Sequence, residues 1–210
     1  MRVYVETNFI LELALAQEQS ESCKAILSHC RDADAELIVP GYSLVEPLET
    51  LTRRGRDRRR FKFDLERELT QLARSNRFAE RARRLRDLAG LLTDSADEEW
   101  EQFEQIQTDI LKVARVLVMG GPILVAASQY RRRYELSPQD AIIYASVVGD
   151  LRSGAGKSCF LNRNTKDFDD PDIVAELAEL DCKLLPRFDH GLAYIQAERR
   201  DADPAGDVSA

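Results

Sequence analysis

The chain has 210 residues, of which 44% are hydrophobic and 32% charged, and its formal net charge is −7. This composition excludes a disordered chain and predicts one globular domain that is large enough to bury a core. No apolar run approaches the roughly 20 residues that span a bilayer, and a strand-like run begins at the N-terminus without a signal peptide. We therefore expect a cytoplasmic protein with no membrane partner.

The charge is unevenly distributed along the chain. Residues 53–86 hold fourteen Lys and Arg against five Asp and Glu, a local net charge of +9, so the rest of the chain carries −16. The acidic total argues against indiscriminate nucleic-acid binding, whereas the asymmetry predicts a basic face on an acidic body.

Apolar runs and helical periodicity alternate in the first fifty residues. A buried strand is predicted over 2–5 and another over 37–39, with helices over about 8–17 and 20–29 between them. A further helix is expected to start near Ser43, because Ser43 and Glu46 have the spacing of a capping box.

The middle of the chain is rich in Arg, Glu, Leu and Ala and predicts helices. We expect helix over 57–92 with a break near Asn76, and a second helix that starts at Ser95 or Asp97 and runs to about Met119. Gly120-Gly121-Pro122 stops it, and a helix over 123–134 follows. Ser137-Pro138 is a strong helix start, with Ser as the cap and Pro in the first turn.

Two more strands are predicted near the C-terminus, over 158–161 and 182–185, with a short helix over 171–180 between them. Strands separated by helices imply right-handed βαβ units. The expected fold is α/β, a three-layer α/β/α sandwich around a short, mainly parallel sheet. It forms a single domain over 1–200 with a helical insertion at about 57–119 and a flexible tail over 201–210.

Acidic residues follow or flank the apolar runs at widely separated positions. Glu6 follows the first strand, Glu46 follows the second, Asp140 opens the helix that leads to the third, and Asn164 and Asp167 follow the third. Parallel strands open their ligand crevice at their carboxyl ends, so these side chains are expected to converge. Converging carboxylates repel one another unless cations lie between them, and the pattern therefore predicts a metal site.

Each acid also has a structural interpretation. Asp140 and Glu46 have capping-box spacing with Ser137 and Ser43, Glu6 could cap the first helix, and Asp167 could cap the turn before the helix at 171. The order of the acids and their strand contexts favour the metal site over four unrelated caps.

The same segments resemble the PIN-domain nucleases. The string from Val3 to Leu11 is similar to the family's opening strand followed by Asp-Thr-Asn, and Pro40 to Glu46 resembles its second acidic segment. Leu136 to Ala141 resembles the third segment and Leu161 to Phe168 the fourth. The resemblance covers residues 1–50 and about 123–186.

This resemblance implies a Mg²⁺- or Mn²⁺-dependent endoribonuclease, often the VapC-like toxin of a toxin–antitoxin pair, with an antitoxin protein and a second copy of the chain as partners. It implies that Glu6, Glu46, Asp140 and Asp167 hold the metal and that Asn164 completes the shell or orients water. Thr7, Asn8 and Thr165 would order the turns that carry these ligands.

The chain departs from the family pattern at two site positions. Glu6 stands where the family usually has Asp, and its extra methylene moves the carboxylate by about a bond length. Asn164 removes one formal charge. A one-metal site or an inactive, nucleic-acid-binding or scaffold form of the fold is the alternative reading, and a structure-specific DNA nuclease is another.

An arginine-rich run follows the second acidic segment. Its arginines are predicted to contact nucleic-acid phosphates, together with Arg163 beside Asn164, and Phe61 and Phe63 to stack on bases. A solvated helix face is the other interpretation of the run. The predicted contacts are Arg53, Arg54, Arg56, Arg58, Arg59, Arg60 and Arg163.

Overall fold

The computed structural model describes residues 1–164 and 168–202. Within these residues the chain forms a five-stranded sheet in the order β3-β2-β1-β4-β5, and every neighbouring pair is parallel. The strands are β1 (Arg2–Val5), β2 (Glu36–Pro40), β3 (Arg115–Leu117), β4 (Ser158–Leu161) and β5 (Cys182–Leu185).

Helices connect the strands and cover both faces of the sheet. A 3₁₀ turn over Gly41–Leu44 leads from β2 towards a helix of 27 residues that begins at Glu46. The helices are α1 (Thr7–Ala14), α2 (Ser20–Arg31), α3 (Glu46–Leu72), α4 (Ala79–Arg84), α5 (Arg86–Val113), α6 (Gly121–Arg133), α7 (Pro138–Ser153), α8 (Pro171–Glu179) and α9 (Phe188–Ala202).

Alternation along each strand divides the apolar side chains between two cores. Val3 and Val5 of β1 face the core that includes α1, α2, α5 and α9, whereas Tyr4 faces the core that includes α6, α7 and α8. All three are fully buried, as a strand covered on both faces requires. Burying one large aliphatic or aromatic side chain stabilises the fold by about 1.5–3 kcal/mol, so the two layers of helices are what hold the sheet together. The α/β class and the parallel sheet are confirmed.

Four of the strands lie where the apolar runs predict them, and β3 is additional. The prediction of a helix from Ser95 or Asp97 to Met119 is wrong, because α5 begins at Arg86, ends at Val113 and is followed by β3. The last part of the predicted insertion is therefore an edge strand of the sheet. The carboxyl end of β3 lies close to the 3₁₀ turn: a Cβ on Gly41 would stand 3.0 Å from the carbonyl oxygen of Leu117. A side chain at Gly41 would therefore push β3 and the turn apart.

Two further predictions are confirmed, and one C-terminal helix was not predicted from the sequence. The predicted helix over 171–180 is confirmed as α8, and the predicted break near Asn76 is confirmed by the gap between α3 and α4. Helix α9 is an element that the sequence pattern did not predict, and it reaches Ala202. The remainder of the predicted tail, 203–210, lies outside the described residues.

Helices α3 and α5 pair along a heptad seam. On α5 the buried residues Ala89, Ala96, Phe103 and Ile110 recur every seven positions, the repeat of a coiled coil. Gly55 of α3 faces Ala96 at 4.0 Å from its ideal Cβ. Farther along the seam Lys62 Nζ donates to Thr93 Oγ1 at 3.2 Å. Leu51 of α3 and Phe103 of α5 belong to the core that packs against the sheet. The parts of the two helices near α4 extend beyond that core.

All four cysteines, Cys23, Cys30, Cys159 and Cys182, are buried free thiols. No helix among residues 1–164 and 168–202 is both long and apolar enough to cross a bilayer.

Candidate functional site at the carboxyl edge of the sheet

A pocket of about 230 Å³ lies beyond the carboxyl ends of β1 and β2. Its walls carry four of the residues that the sequence singled out, and they come from four separated segments: Glu6, Glu46, Asp140 and Asn164. Thr7 and Asn8 also line it. The parallel topology brings these segments together, because β1, β2 and β4 end at the same edge.

Glu6 lies between β1 and α1 and is 4% exposed. Its Oε2 accepts a hydrogen bond from the backbone N–H of Asn8 at 2.8 Å, which caps α1. Its Oε1 is buried and has no hydrogen-bond partner. Burial raises the pKa of Glu6 to about 7, and the nearby Glu46 carboxylate adds to the rise, while hydrogen bonds from Asn8 oppose it.

Glu46 is the first residue of α3 and occupies the helix N-terminus, where a carboxylate is favoured by the helix dipole. Thr7 Oγ1 donates a hydrogen bond to its Oε2. Burial raises the pKa of Glu46, as do the charges of Asp140 and Glu49, while the hydrogen bond from Thr7 lowers it. Glu46 therefore interacts electrostatically with Glu6 on one side and with Asp140 on the other.

The predicted capping box at Ser43 does not form. Ser43 lies in the 3₁₀ turn, its hydroxyl is buried without a partner, and α3 begins three residues later with no side-chain cap. The Ser137 prediction is confirmed, because Ser137 Oγ accepts from the backbone N–H of Asp140 at 3.1 Å and donates to its carboxylate.

Asn164 completes the arrangement around Asp140. Its Nδ2 donates to Asp140 Oδ1 at 3.2 Å, and its backbone N–H donates to Asn162 Oδ1 at 2.7 Å. Asp167 and Thr165, the remaining predicted site residues, lie outside the described residues. The structure therefore brings together Glu6, Glu46, Asp140 and Asn164, with Thr7 and Asn8.

The donor set of the pocket fits a hard divalent cation in kind, because it consists of carboxylate and amide oxygens. The unpartnered Oε1 of Glu6 is a buried acceptor that a cation would satisfy. Among residues 1–164 and 168–202, however, no three His, Cys, Asp or Glu side chains already stand close enough together to hold a metal ion. Hydrogen bonds from Thr7, Ser137 and Asn164 occupy oxygens of Glu46 and Asp140 instead.

Two polar residues that line the pocket, and one neighbour, were not identified from the sequence. Thr50 and Gln139 line the pocket, and Thr50 could have been found because it lies one helical turn after Glu46. Tyr42 stands near the same acids, since burial and the charges of Glu46, Glu49 and Asp140 raise its pKa. A tyrosine in a turn after a strand carries no sequence signal of its own.

The predicted nucleic-acid contacts separate into two groups. Arg54 and Arg58 pair with Glu99 across the α3–α5 seam at 3.4 and 2.8 Å, and Arg163 pairs with the buried Glu12. These three have structural partners. The other predicted contacts are exposed on α3: Arg53, Arg56, Arg59 and Arg60.

Comparisons of the chain with models of protein families, with curated proteins and with solved structures give no match. The geometry of the pocket therefore carries the functional argument. An oxygen-lined, acidic pocket at the carboxyl edge of a parallel sheet can hold a cation, and a cation there can bind a phosphate.

Proposed function

We propose that this chain is a metal-dependent nuclease of the PIN type that hydrolyses RNA phosphodiester bonds. The observation that supports it is the meeting of Glu6, Glu46 and Asp140 in one pocket, although they lie on three segments separated by up to 134 positions of sequence numbering. Carboxylates from different strand ends are the arrangement that binds Mg²⁺ or Mn²⁺ and presents it to a phosphate.

In this proposal Glu6, Glu46 and Asp140 hold the ion, with Asp167 as a fourth candidate ligand. A bound divalent ion would lower the pKa of a coordinated water and polarise the phosphate. Asn164 orients Asp140 through its side-chain amide, and Thr7 orients Glu46 through its hydroxyl. Asn8 fixes the Glu6 carboxylate through its backbone N–H.

Cleavage of an RNA oligonucleotide with and without EDTA tests the proposal. Asp140→Asn preserves the shape of the side chain and removes its charge, and cleavage is expected to fall at least about 100-fold. Glu49→Gln is the matched control, because Glu49 is an exposed acid one turn from Glu46 that does not line the pocket. Cleavage that survives both EDTA and Asp140→Asn would overturn the proposal.

A second function, nucleic-acid binding without turnover, is favoured by two observations at the same pocket. Glu6 has a pKa of about 7, so it is only partly ionised near neutral pH, and the described acids do not already form a set of three ligands. Thermal unfolding with added Mn²⁺ separates the two functions when it is combined with the cleavage assay. Absence of any Mn²⁺ stabilisation that depends on Asp140, together with RNA binding and no cleavage, would support the binding protein.

The finer assignments rest on the same resemblance. A panel of RNA and DNA substrates distinguishes a ribonuclease from a structure-specific DNA nuclease. For a toxin with an antitoxin partner, expression of the chain would arrest growth, and Asp140→Asn would relieve the arrest. Growth that is equal for both forms would remove the toxin assignment while leaving the nuclease assignment to the cleavage assay.

A further inference from the structure

An arginine row runs along the outer side of α3, away from the candidate pocket. Arg53, Arg60 and Arg67 lie seven residues apart, and they continue from Glu46 at the same interval. Seven residues make nearly two helical turns, so these side chains share one side of α3 with successive members about 10 Å apart.

The row lies opposite the seam with α5. The inward positions of α3 include Leu51, Gly55 and Leu69, which are buried, whereas Arg53, Arg60 and Arg67 are all exposed. Arg53 and Arg60 form no ion pair with any residue in the described ranges, and Arg67 stands 3.6 Å from Asp64 and 3.7 Å from Glu68 at the surface. The row is therefore available to an external anion.

The row ends in a basic tip where α3 turns into α4. Residues 74–84 carry five arginines against the single acid Glu80. All five arginines are exposed, and only Arg84 is paired with that acid. The arginines of the tip are Arg74, Arg77, Arg81, Arg83 and Arg84.

Aromatic side chains accompany the row. Phe61 and Phe63 are 59% and 67% exposed, although a buried position would gain about 1.5–3 kcal/mol for each. Exposed aromatic rings beside arginines are the combination that binds single-stranded nucleic acid, because bases stack on the rings while phosphates contact the guanidinium groups.

We propose that the arginine row and the tip form an extended binding track for single-stranded RNA, which makes long RNA the preferred substrate of the pocket. This inference rests on the proposed nuclease function. Helix α3 has 27 residues and spans about 40 Å. At the roughly 3.4 Å per nucleotide of a fully stacked strand, the track takes at most about a dozen nucleotides beyond the pocket.

Binding of labelled RNAs of 6 and 30 nucleotides to the full chain in EDTA tests the track, because no metal is then present to support cleavage. Arg60→Gln with Arg67→Gln is expected to weaken binding of the 30-mer about tenfold. The same variant should reduce the slope of log Kd against log salt concentration by about 1.4, since each phosphate contact of a single strand contributes about 0.7. The 6-mer contacts fewer of the arginines at once, so its binding to the parent chain is expected to be weaker and its salt slope smaller than those of the 30-mer.

The matched control removes two arginines elsewhere. Arg31→Gln with Arg200→Gln alters exposed residues in the last turns of α2 and α9 and lowers the net charge equally. Arg60→Lys with Arg67→Lys should restore most of the binding and the salt slope. Equal affinities of the parent, the Gln variant and the control for the 30-mer would contradict the proposed track. Binding of an acidic protein by a chain that binds neither RNA would also contradict it.

Cleavage assays separate failure of the track from failure of the proposed function. Metal-dependent cleavage of both RNAs that is unaffected by Arg60→Gln with Arg67→Gln leaves the nuclease and removes the track. Binding of the 30-mer that depends on the row, without cleavage of either RNA, leaves the track and removes the nuclease.

Discussion

Carboxylates that are fully or partly buried lie at both edges of the sheet, but their surroundings differ. At the amino edge, Asp150 accepts two hydrogen bonds from Arg115 at 2.7 and 2.9 Å and one from Tyr4 at 2.7 Å. At the carboxyl edge, Glu6, Glu46 and Asp140 have no ion pair with any residue of 1–164 or 168–202. Within the described residues, Asp150 therefore has internal cationic partners and the three acids of the pocket have none.

The pKa values follow this difference. Hydrogen bonds from Arg115 lower the pKa of Asp150, whereas burial raises the pKa of Glu6 to about 7 and also raises that of Glu46. A carboxylate with an internal cation stabilises the fold by itself, and a buried carboxylate without one costs stability until a cation arrives. The contrast is the physical reason to interpret the first edge as structural and to propose metal binding at the second.

A cationic side chain introduced into the pocket would remove the difference between the two edges most directly. Thr50→Lys adds an ammonium group on the pocket wall, one turn after Glu46, and should compete with a divalent ion for the carboxylates. Cleavage is expected to fall at least about 100-fold and stabilisation by Mn²⁺ to disappear.

Thr52→Lys is the control for that change, since Thr52 is an exposed residue on the same helix and does not line the pocket. Both variants are compared by RNA cleavage and by thermal unfolding with Mn²⁺. Equal behaviour of the two variants would mean that the pocket is not where the ion acts.

The two edges should respond to pH with opposite signs. The folded pKa of Glu6 lies above its ordinary value of 4.5, so its contribution to stability falls as pH rises from about 4.5 to about 7. In EDTA, Glu6→Gln is therefore expected to exceed the parent in unfolding free energy by up to about 3 kcal/mol above pH 7. The difference should vanish below pH 4.5.

Asp150 supplies the opposite behaviour. Its folded pKa is lowered, so its contribution is present above the ordinary pKa and is lost as pH falls through the lowered value. Urea unfolding between pH 3 and 8 measures both effects. A Glu6→Gln variant whose stability follows that of the parent at every pH would contradict the account of the pocket.

Removal of the internal cation at the amino edge should cost stability. Arg115→Met leaves Asp150 with its Tyr4 hydrogen bond and the more distant Arg2, 4.0 Å away, and also frees Glu36, which Arg115 contacts at 2.6 Å. The expected loss is about 1–3 kcal/mol in urea unfolding, with cleavage of short RNA unchanged. Lys24→Met, which removes an exposed pair with Glu21, should change stability by less than about 0.5 kcal/mol.

The smallest effect is expected at the cap that positions Asp140. Ser137→Ala removes the acceptor of the Asp140 backbone N–H and should cost about 1 kcal/mol of unfolding free energy. Ser153→Ala serves as the comparison, because Ser153 lies at the other end of α7 and donates to the carbonyl of Asp150 at the surface. A loss that is equal in both variants would show that the Ser137 cap has no special value.

The strands and the site were predictable to different extents. Strands β1, β4 and β5 are short apolar runs between polar segments, and the acids that follow strands could be placed at one edge from parallel topology alone. Strand β3 could not be predicted, because Arg115–Leu117 follows α5 with no Gly or Pro between them and only tertiary pairing with β2 defines it. The start of α5 carries no side-chain cap either.

Contacts within the site were harder to predict than its location. The sequence indicated Glu6, Glu46, Asp140 and Asn164 but not which hydrogen bonds hold them, because those bonds join residues up to 39 positions apart, as Thr7 and Glu46 are. Pairing of Arg54 and Arg58 with Glu99 depends on the register of α3 against α5, which local patterns do not specify.

A crystal of the full chain soaked in Mn²⁺ gives the most direct test of whether the unpaired carboxylates share a divalent ion. The account predicts an anomalous density peak about 2.1–2.2 Å from oxygens of Glu6, Glu46 and Asp140, lost in crystals of Asp140→Asn. Saturating Mn²⁺ with no peak between these three side chains, in crystals where the pocket is open to solvent, would contradict it.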